Sequence, residues 1–295
     1  MLYGLAGVMA FSLTLPASRV AVAPLGPYFV GLGRAALALF FAVGFLWAQR
    51  ASFPPRRVWG SLFWVVMGVV FGFPMFTAYA MRYASASHGA IVIGLLPLGT
   101  ALVSVLEGRE RTTRMFWVAA FTGSATVITY ALTRGAGRFS IGDVYLLLAV
   151  LAGSVGYAEG GRLARSIGGS QVICWALVCG APVVLPLMGL YLATHEVHAS
   201  TKAWMSFVYL GMFSQLFGFF AWYHGMKLSG VARVSQLQLL QPIFTVFACW
   251  LLLREPVPAS TWLAALVVIG CVLVARKSGR GKLELHAASV ETGSG

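Results

Sequence analysis

Charged residues are scarce in this chain, and acidic residues are the scarcest. Of its 295 residues, 10% are charged and 59% are hydrophobic; Asp and Glu together number 8, and Asp143 is the single aspartate. Asparagine is absent, which excludes an N-glycosylation sequon. A soluble domain of this size would need many more polar residues to cover its surface. The composition therefore predicts an all-α integral membrane protein.

The formal charge of +13 comes from basic residues that sit in the short gaps between apolar runs. Lys and Arg in such gaps set the orientation of a membrane protein. Nucleic-acid binding would instead need a basic face on a folded polar domain, and the apolar runs leave no room for one. We therefore expect the lipid bilayer as a partner and no nucleic acid.

Metal, haem and enzyme motifs are missing as well. The chain has four cysteines, Cys174, Cys179, Cys249 and Cys271. They lie inside apolar segments at spacings unlike those of zinc or haem sites, so we expect small core residues and no cofactor. His-Glu-Val-His at 195–198 has the wrong spacing for a zinc protease, and Ala-Gly-Ser-Val-Gly at 152–156 lacks the first glycine of a nucleophile elbow. An intramembrane enzyme is thus disfavoured.

Ten apolar runs approach the roughly 20 residues that a membrane-spanning helix needs. They lie at 2–20, 28–49, 58–80, 85–106, 114–133, 142–164, 170–192, 203–226, 231–252 and 259–275. If the N-terminus is cytoplasmic, the cytoplasmic loops and tail hold fourteen Lys and Arg and the opposite loops hold six. The excess predicts a multi-pass protein of the bacterial inner (plasma) membrane with both termini in the cytoplasm.

The two halves of the chain resemble each other at one fixed offset. Pro97 matches Pro242, 145 positions later, and Trp117 matches Trp262 at the same distance. Five helices in each half would insert the second half upside down, because five is an odd number. We expect ten transmembrane helices as two inverted-topology five-helix repeats, 1–135 and 140–276, followed by a polar cytoplasmic tail at 277–295.

A short motif recurs near the end of each half. Leu-Leu-Pro at 95–97 is followed by Gly-Arg-Glu at 108–110, and Leu-Gln-Pro at 240–242 is followed by Leu-Arg-Glu-Pro at 253–256. This pattern resembles the EamA-type repeat of the drug/metabolite transporter superfamily. The resemblance implies ten helices, a substrate cavity between the halves and export from the cytoplasm. Within that superfamily the chain is similar to bacterial exporters of aromatic amino acids.

Helix breaks at Pro97 and Pro242 are the first candidate site. Proline removes one backbone hydrogen bond and crowds the preceding turn, and the freed carbonyl must meet protein or cavity water in a membrane. Broken helices at matching positions of two repeats indicate a transport site. The alternative is a simple packing kink.

A polar stripe on the ninth helix is the second candidate. Its members are spaced by three, three and four residues and share one helix face: Ser235, Gln238, Gln241 and Thr245. Such a stripe is costly in hydrocarbon unless it faces protein or water. The matching stripe of the fourth helix is almost apolar, so we expect one half to supply most of the polar recognition. The alternative is a contact between helices through their amides.

Further candidate cavity residues are polar or aromatic and lie within the predicted helices. They are Ser12, Tyr79, Thr100, Ser154, Tyr157, Gln215, Trp222, Tyr223 and His224. Aromatic walls with polar tips suit an apolar or aromatic side chain. The alternatives are that Trp and Tyr belt the membrane interface and that His224 is a structural histidine, which is the favoured interpretation of His224.

Gating or structural ion pairs form a third group of candidates. They are Arg34, Glu159, Arg162, Arg109, Glu110, Arg254 and Glu255. Glu159 and Arg162 have the spacing of a local pair on one helix. Arg34 could reach outward to the membrane surface, or hold a carboxylate or helix-end carbonyls; we favour a structural role.

These observations predict a monomeric exporter of amino acids, with a preference for aromatic or apolar ones, that works by alternating access. Polar groups of the stripe would meet the amine and carboxylate of the substrate, and aromatic rings would hold its side chain. An exporter of hydrophobic drugs or other small metabolites is the alternative, but drug cations typically need a buried carboxylate at mid-depth. A non-transporting sensor is a weaker alternative. Movement is expected to be facilitated or weakly coupled to protons.

Overall fold

A computed structural model describes residues 2–107, 114–134, 140–229, 237–271 and 273–274. Its regular elements are all helical within these ranges. In the first half they are α1 (Leu2–Ser12), α2 (Thr14–Leu25), α3 (Pro27–Ala48), a 3₁₀ turn (Arg56–Val58), α4 (Trp59–Val65), a first π segment (Val66–Gly72), α5 (Phe73–Tyr83), α6 (Ala86–Ile93), α7 (Leu96–Leu106) and α8 (Arg114–Arg134).

The second half begins with the two longest helices. Its elements are α9 (Ile141–Ile167), α10 (Gly169–Thr194), α11 (Thr201–Tyr209), a second π segment (Leu210–Phe217), α12 (Gly218–Ser229), a 3₁₀ turn (Gln238–Leu240), α13 (Gln241–Leu253) and α14 (Ala259–Cys271).

Six continuous helices are long and apolar enough to cross a membrane. They are Leu2–Leu25, Pro27–Ala48, Arg56–Tyr83, Ile141–Ile167, Gly169–Thr194 and Thr201–Gly225. The prediction of an all-helical membrane protein is confirmed at this level, while the count of ten and the inverted arrangement of the halves stay predictions. Large apolar side chains cover the outside of the bundle, as Phe40, Trp47 and Phe121 illustrate. A water-soluble surface would not carry them in such numbers.

Both proline breaks are present, and in each case the proline starts a new helix. The fourth helix is divided into α6 and α7, with Gly94 and Leu95 between them and Pro97 in the first turn of α7. In the second half of the chain, a 3₁₀ turn precedes α13, and Pro242 lies in the first turn of that helix. Proline is tolerated there because the first-turn N–H groups have no partner within the helix.

The two π segments lie at the repeat offset. Val66–Gly72 and Leu210–Phe217 each interrupt one long helix, and adding 145 to 66–72 gives 211–217. A π-helix shifts the hydrogen bonds to i→i+5 and is found most often at functional sites. The matched positions support descent of the two halves from one ancestral unit.

Gly68 of the first π segment allows a close contact with α9. A Cβ at this position would lie 2.7 Å from Gly156 Cα and 2.8 Å from Gly156 N, and it would also strike the Ala152 carbonyl oxygen. Two helices can approach this closely only where neither has a side chain at the crossing point. The first π segment is therefore fixed against α9.

Candidate functional site

A small cavity lies where the two proline breaks meet. Its lining residues come from both halves of the chain: Leu15, Ala90, Ile93, Gly94, Leu96, Pro97, Gln238, Gln241, Pro242 and Thr245. A Cβ on Gly94 would lie 3.1 Å from Pro242 Cγ, so the two breaks touch. The cavity volume is about 10 Å³, which is room for about one water molecule. The place where the two breaks meet therefore holds little free space.

The walls of the cavity differ in polarity. Gln238 is 6% exposed, and its amide nitrogen has no hydrogen-bond partner in the described part of the chain. Gln241 and Thr245 lie on the same wall, whereas Leu15, Ala90 and Ile93 make an apolar wall. Sequence analysis predicted this asymmetry between the two halves. A buried amide that lacks a partner is costly in an apolar surrounding.

Two predicted cavity residues use their hydroxyl groups within their own helices. Ser12 Oγ donates to the Val8 carbonyl at 2.7 Å and approaches the Gln241 carbonyl at 3.5 Å. Thr100 Oγ1 donates to the Leu96 carbonyl at 2.8 Å, and Thr100 does not line the small cavity. Ser12 is therefore the nearer of the two to the polar wall.

Ser154 lies where α7 crosses α9. Its side chain is buried, and its hydroxyl has no partner among the residues of the structure's described ranges. The absent side chain of Gly99 leaves the space that this hydroxyl fills, because a Cβ on Gly99 would collide with it. Ser154 therefore packs against Gly99 of α7, the helix that begins at the Pro97 break.

The aromatic residues do not form one cradle around the small cavity. Trp222 packs on Gly7 and lies near Phe11, with ring centroids 6.2 Å apart, so it fills the contact between α12 and α1. This placement differs from the predicted cavity position, because Gly7 offers a recess that the pattern of apolar residues does not reveal. His224 is exposed and meets the Tyr3 ring edge-on at 4.7 Å.

Three tyrosines among the candidates are likewise spread over separate contacts. Tyr79 packs on Tyr145 with centroids 5.4 Å apart. Tyr157 meets the ring of Phe219 edge-on at 5.8 Å, and Tyr223 stacks obliquely on the same phenylalanine at 5.8 Å. Tyr157 and Tyr223 thus share one aromatic cluster, and Tyr79 belongs to another.

Gln215 joins the two π segments. Its amide nitrogen donates to the Val69 carbonyl at 3.1 Å, and both residues are buried. Next to it, the hydroxyls of Thr14 and Ser214 lie 2.8 Å apart. The predicted polar role of Gln215 takes the form of a bond between halves. The π segments themselves were missed by sequence analysis, because i→i+5 bonding leaves no signature in residue pattern.

Glu255 binds the other half of the protein and not its neighbour Arg254. Its two carboxylate oxygens accept hydrogen bonds from the Ala86 N–H at 3.1 Å and the Ser87 N–H at 2.9 Å. Arg254, which belongs to the same group of candidates, ends α13 in the left-handed conformation, with φ of 53°, and its side chain is exposed. A carboxylate at a helix N-terminus satisfies N–H groups that the helix leaves free and meets the positive end of its dipole.

Two buried acids have basic partners. Glu159 accepts a hydrogen bond from Arg162 at 2.6 Å, which is the local pair that the i,i+3 spacing predicts. Asp143 lies 2.6 Å from His88 and also caps α9 together with Ser140. The His88–Asp143 pair joins the start of α6 to the start of α9. Sequence analysis missed it, because the two residues are far apart in the chain.

Arg34 is corrected in two respects. It is 3% exposed, so its side chain does not reach outward to the membrane surface. It also has no ion pair with any residue in the described ranges. The buried acids Asp143 and Glu159 pair with His88 and Arg162 instead. On either side of it along α3, Gly31 packs on Met75 of α5 and Leu37 packs on Gly211 of the second π segment.

Three predicted site residues lie outside the described residues: Ser235, Arg109 and Glu110. The polar tail at 277–295 also lies outside them. Of the cysteines, Cys179 is exposed and not a core residue, whereas Cys174, Cys249 and Cys271 are buried. Within the described ranges, no three His, Cys, Asp or Glu side chains come together as metal ligands would.

Comparison with known proteins places this architecture in one family. The sequence profile of the EamA-like transporter family matches residues 1–131 and 140–276. An uncharacterized transporter of Bacillus subtilis, YdeK, is 41% identical over 274 residues, which cover 93% of this chain and 96% of the relative. A protein of Streptantibioticus cattleyicolor named "Probable terminal-alkyne amino-acid exporter" is 27% identical over 280 residues, covering 92% and 91% of the two chains.

A solved crystal structure shares the fold. It superposes with a TM-score of 0.63 at 20% sequence identity and covers 95% of this chain and 96% of its own. At that identity the likeness speaks for the fold alone. The family profile, the relative that is 41% identical and the six apolar spans agree with each other. This multi-pass membrane protein belongs to the EamA-like transporter family.

Proposed function

We propose that this transporter exports amino acids, with a preference for aromatic or apolar ones, through the place where Pro97 and Pro242 meet. The observation that carries the proposal is the unequal lining of the small cavity: Gln238, Gln241 and Thr245 face an apolar wall. An amino acid has one dipolar end and one apolar end. Amide and hydroxyl groups offer both donors and acceptors, which a zwitterion needs more than it needs a net charge.

The buried amide of Gln238 supports a ligand at this place. Its nitrogen lacks a partner among the described residues, so the cavity carries a polar group that a substrate could satisfy. The name of the relative from Streptantibioticus cattleyicolor, "Probable terminal-alkyne amino-acid exporter", agrees with this substrate class at 27% identity. Likeness to exporters of aromatic amino acids, noted from the sequence, agrees with it too.

Export of hydrophobic cations is the rival proposal within the family. Such cargo is typically held by a buried carboxylate. Among the described residues that line the small cavity there is no Asp or Glu, and Asp143, Glu159 and Glu255 are each bonded elsewhere. The same absence favours movement that is facilitated or weakly coupled to protons.

We propose alternating access between two inverted five-helix repeats as the transport cycle. The π segments and the proline breaks recur at the same offset, which supports a repeated unit. At the end of the bundle where α6 begins, Glu255 bonds the second half to the first. From the distribution of Lys and Arg this end faces the periplasm. Glu255 would then hold the periplasmic side closed, in a monomer of the inner membrane with cytoplasmic termini.

Flux into proteoliposomes tests the substrate class and the cavity together. Radiolabelled tryptophan, phenylalanine, methionine, alanine and threonine are offered to the purified protein, and we expect the first three to move fastest. Gln238→Leu keeps the size of the side chain and removes one set of polar groups. It should raise KM for tryptophan about 3- to 10-fold, the size of one neutral buried hydrogen bond.

Gln49→Leu is the matched control, because Gln49 is an exposed glutamine at the end of α3. It should leave KM unchanged. If folded wild-type protein moves none of the five amino acids, the substrate class is wrong, and uptake of a hydrophobic cation in the same vesicles would favour the rival proposal.

A further inference from the structure

Arg34 of α3 is a buried cation without a counter-ion. It is 3% exposed, and its Nε has no hydrogen-bond partner within the residues that the structure covers. The carboxylates of Asp143, Glu159 and Glu255 are bonded to other groups. Among the described residues, therefore, none supplies the negative charge that Arg34 lacks.

An uncompensated guanidinium within a transmembrane segment is costly, because neither lipid nor apolar side chains replace its hydration. Ionisable residues at such positions mark substrate paths more often than packing sites. A bound anion would complete such a residue during the working cycle. The anion that suits a guanidinium best is a carboxylate or phosphate, since its two oxygens match two parallel N–H groups.

Arg34 faces the seam between the two halves. Residues three apart on a helix differ by about 60° in direction, so Arg34 points between the directions of Gly31 and Leu37. Gly31 packs on Met75 of α5, and Leu37 packs on Gly211 of the second π segment. Arg34 therefore leaves α3 in the direction of the seam between a helix of the first half and the π segment of the second half.

The surroundings of this seam are polar and aromatic. Tyr157 is a titratable group near Arg34, and the ring of Tyr157 meets Phe219 at 5.8 Å. Gln215 bonds the second π segment to Val69 of the first. A cation, a phenol and an aromatic ring in one place match the carboxylate and the side chain of an aromatic amino acid.

We infer that Arg34 binds the carboxylate of the transported amino acid when the seam between α5 and the second π segment opens. The guanidinium forms two parallel hydrogen bonds to the carboxylate, and the Tyr157 hydroxyl donates a third. The inference rests on the proposed function, because it concerns the same substrate. The contact with Arg34 would add a charged group to the neutral groups of the small cavity. Such a contact would select amino acids over amines.

Competition between L-tryptophan and tryptamine tests this assignment, since tryptamine lacks only the carboxylate. In proteoliposomes, Arg34→Met should raise KM for tryptophan about 10- to 100-fold, the size of a lost charge-assisted pair of hydrogen bonds. It should leave tryptamine uptake unchanged. The KM of Arg34→Lys for tryptophan should lie between those of the wild type and Arg34→Met, because an ammonium keeps the charge and loses the planar fork. Arg57→Met, at an exposed arginine, is the control.

Thermal unfolding of the purified protein gives a readout that does not depend on transport. Indole-3-propionate, a carboxylate without an amine, should raise the unfolding temperature of the wild type, and tryptamine should not. Arg34→Met should abolish the shift. If indole-3-propionate raises the unfolding temperature of the wild type and of Arg34→Met equally, the inference is overturned. Failure of the wild type to move any amino acid is a separate result, and it would reject the proposed function.

Two results assign Arg34 a structural role instead. One is an equal loss of tryptophan and tryptamine uptake in Arg34→Met, and the other is an unchanged KM for tryptophan. If Arg34→Met does not fold, Arg34→Lys and Tyr157→Phe carry the test. Tyr157→Phe should raise KM for tryptophan severalfold and spare tryptamine; an equal effect on both substrates contradicts the carboxylate contact.

Discussion

Replacing Asp143 with alanine is expected to lower the free energy of unfolding by about 3–5 kcal/mol, the usual effect of removing one partner of a buried ion pair. Asp143 lies 2.6 Å from His88, and its second oxygen accepts hydrogen bonds from the Ser140 N–H and hydroxyl. The variant leaves His88 buried without this partner and removes the Asp143 half of the capping box at the start of α9. Equilibrium unfolding of the purified protein in a detergent micelle measures the change.

A second histidine–carboxylate pair provides the matched control. Glu196 and His198 lie 3.2 Å apart, but their side chains are 90% and 85% exposed. Glu196→Ala should leave stability unchanged, because water already solvates both groups. If Asp143→Ala is as stable as Glu196→Ala, then the buried pair does not hold α6 to α9.

Gly68→Ala is expected to lower the free energy of unfolding by about 3 kcal/mol, as overpacking does in a tightly packed core. The new Cβ would lie 2.7 Å from Gly156 Cα. Since the obstructing atoms belong to the backbone of α9, no side chain can turn aside to make room. The first π segment must move away from α9, so we also expect transport to fall. Chemical unfolding and proteoliposome flux measure the two effects.

Gly60→Ala is the control for helix propensity in the same span. No described atom lies within 4 Å of the place that a Cβ on Gly60 would take, so alanine should be neutral or slightly stabilising. A loss of stability of equal size in both variants would mean that flexibility at glycine, and not the contact with Gly156, matters in this span.

Local features of the site could be predicted from the sequence. Pro97 and Pro242 break helices through their own covalent structure, so the breaks follow from residue type. Glu159 and Arg162 are neighbours on one helix face, so their pair follows from helical geometry. Gln238, Gln241 and Thr245 line one cavity because helical spacing brings them to one side.

Features that depend on a distant partner could not be predicted. The sequence made Glu255 a candidate for gating or for a structural ion pair, but the partner of its carboxylate is the N-terminus of α6 in the other half. Trp222 looked like a cavity residue until its contact with Gly7 was visible. The sequence allowed the Arg34 side chain to extend outward to the membrane surface. Only the packing of α3 against other helices shows that this side chain is buried.

Reactivity of a cysteine in the small cavity tests the central claim most directly. Thr245 is buried and lines the cavity, so Thr245→Cys is made in a protein whose four native cysteines are replaced. Vesicles with the periplasmic face outward are treated with a membrane-impermeant thiol reagent. We expect slow reaction, a rate about tenfold higher when Glu255→Gln weakens the bonds to α6, and protection by tryptophan. Equal rates with and without Glu255→Gln, and no protection by tryptophan, would contradict a transport site at this place.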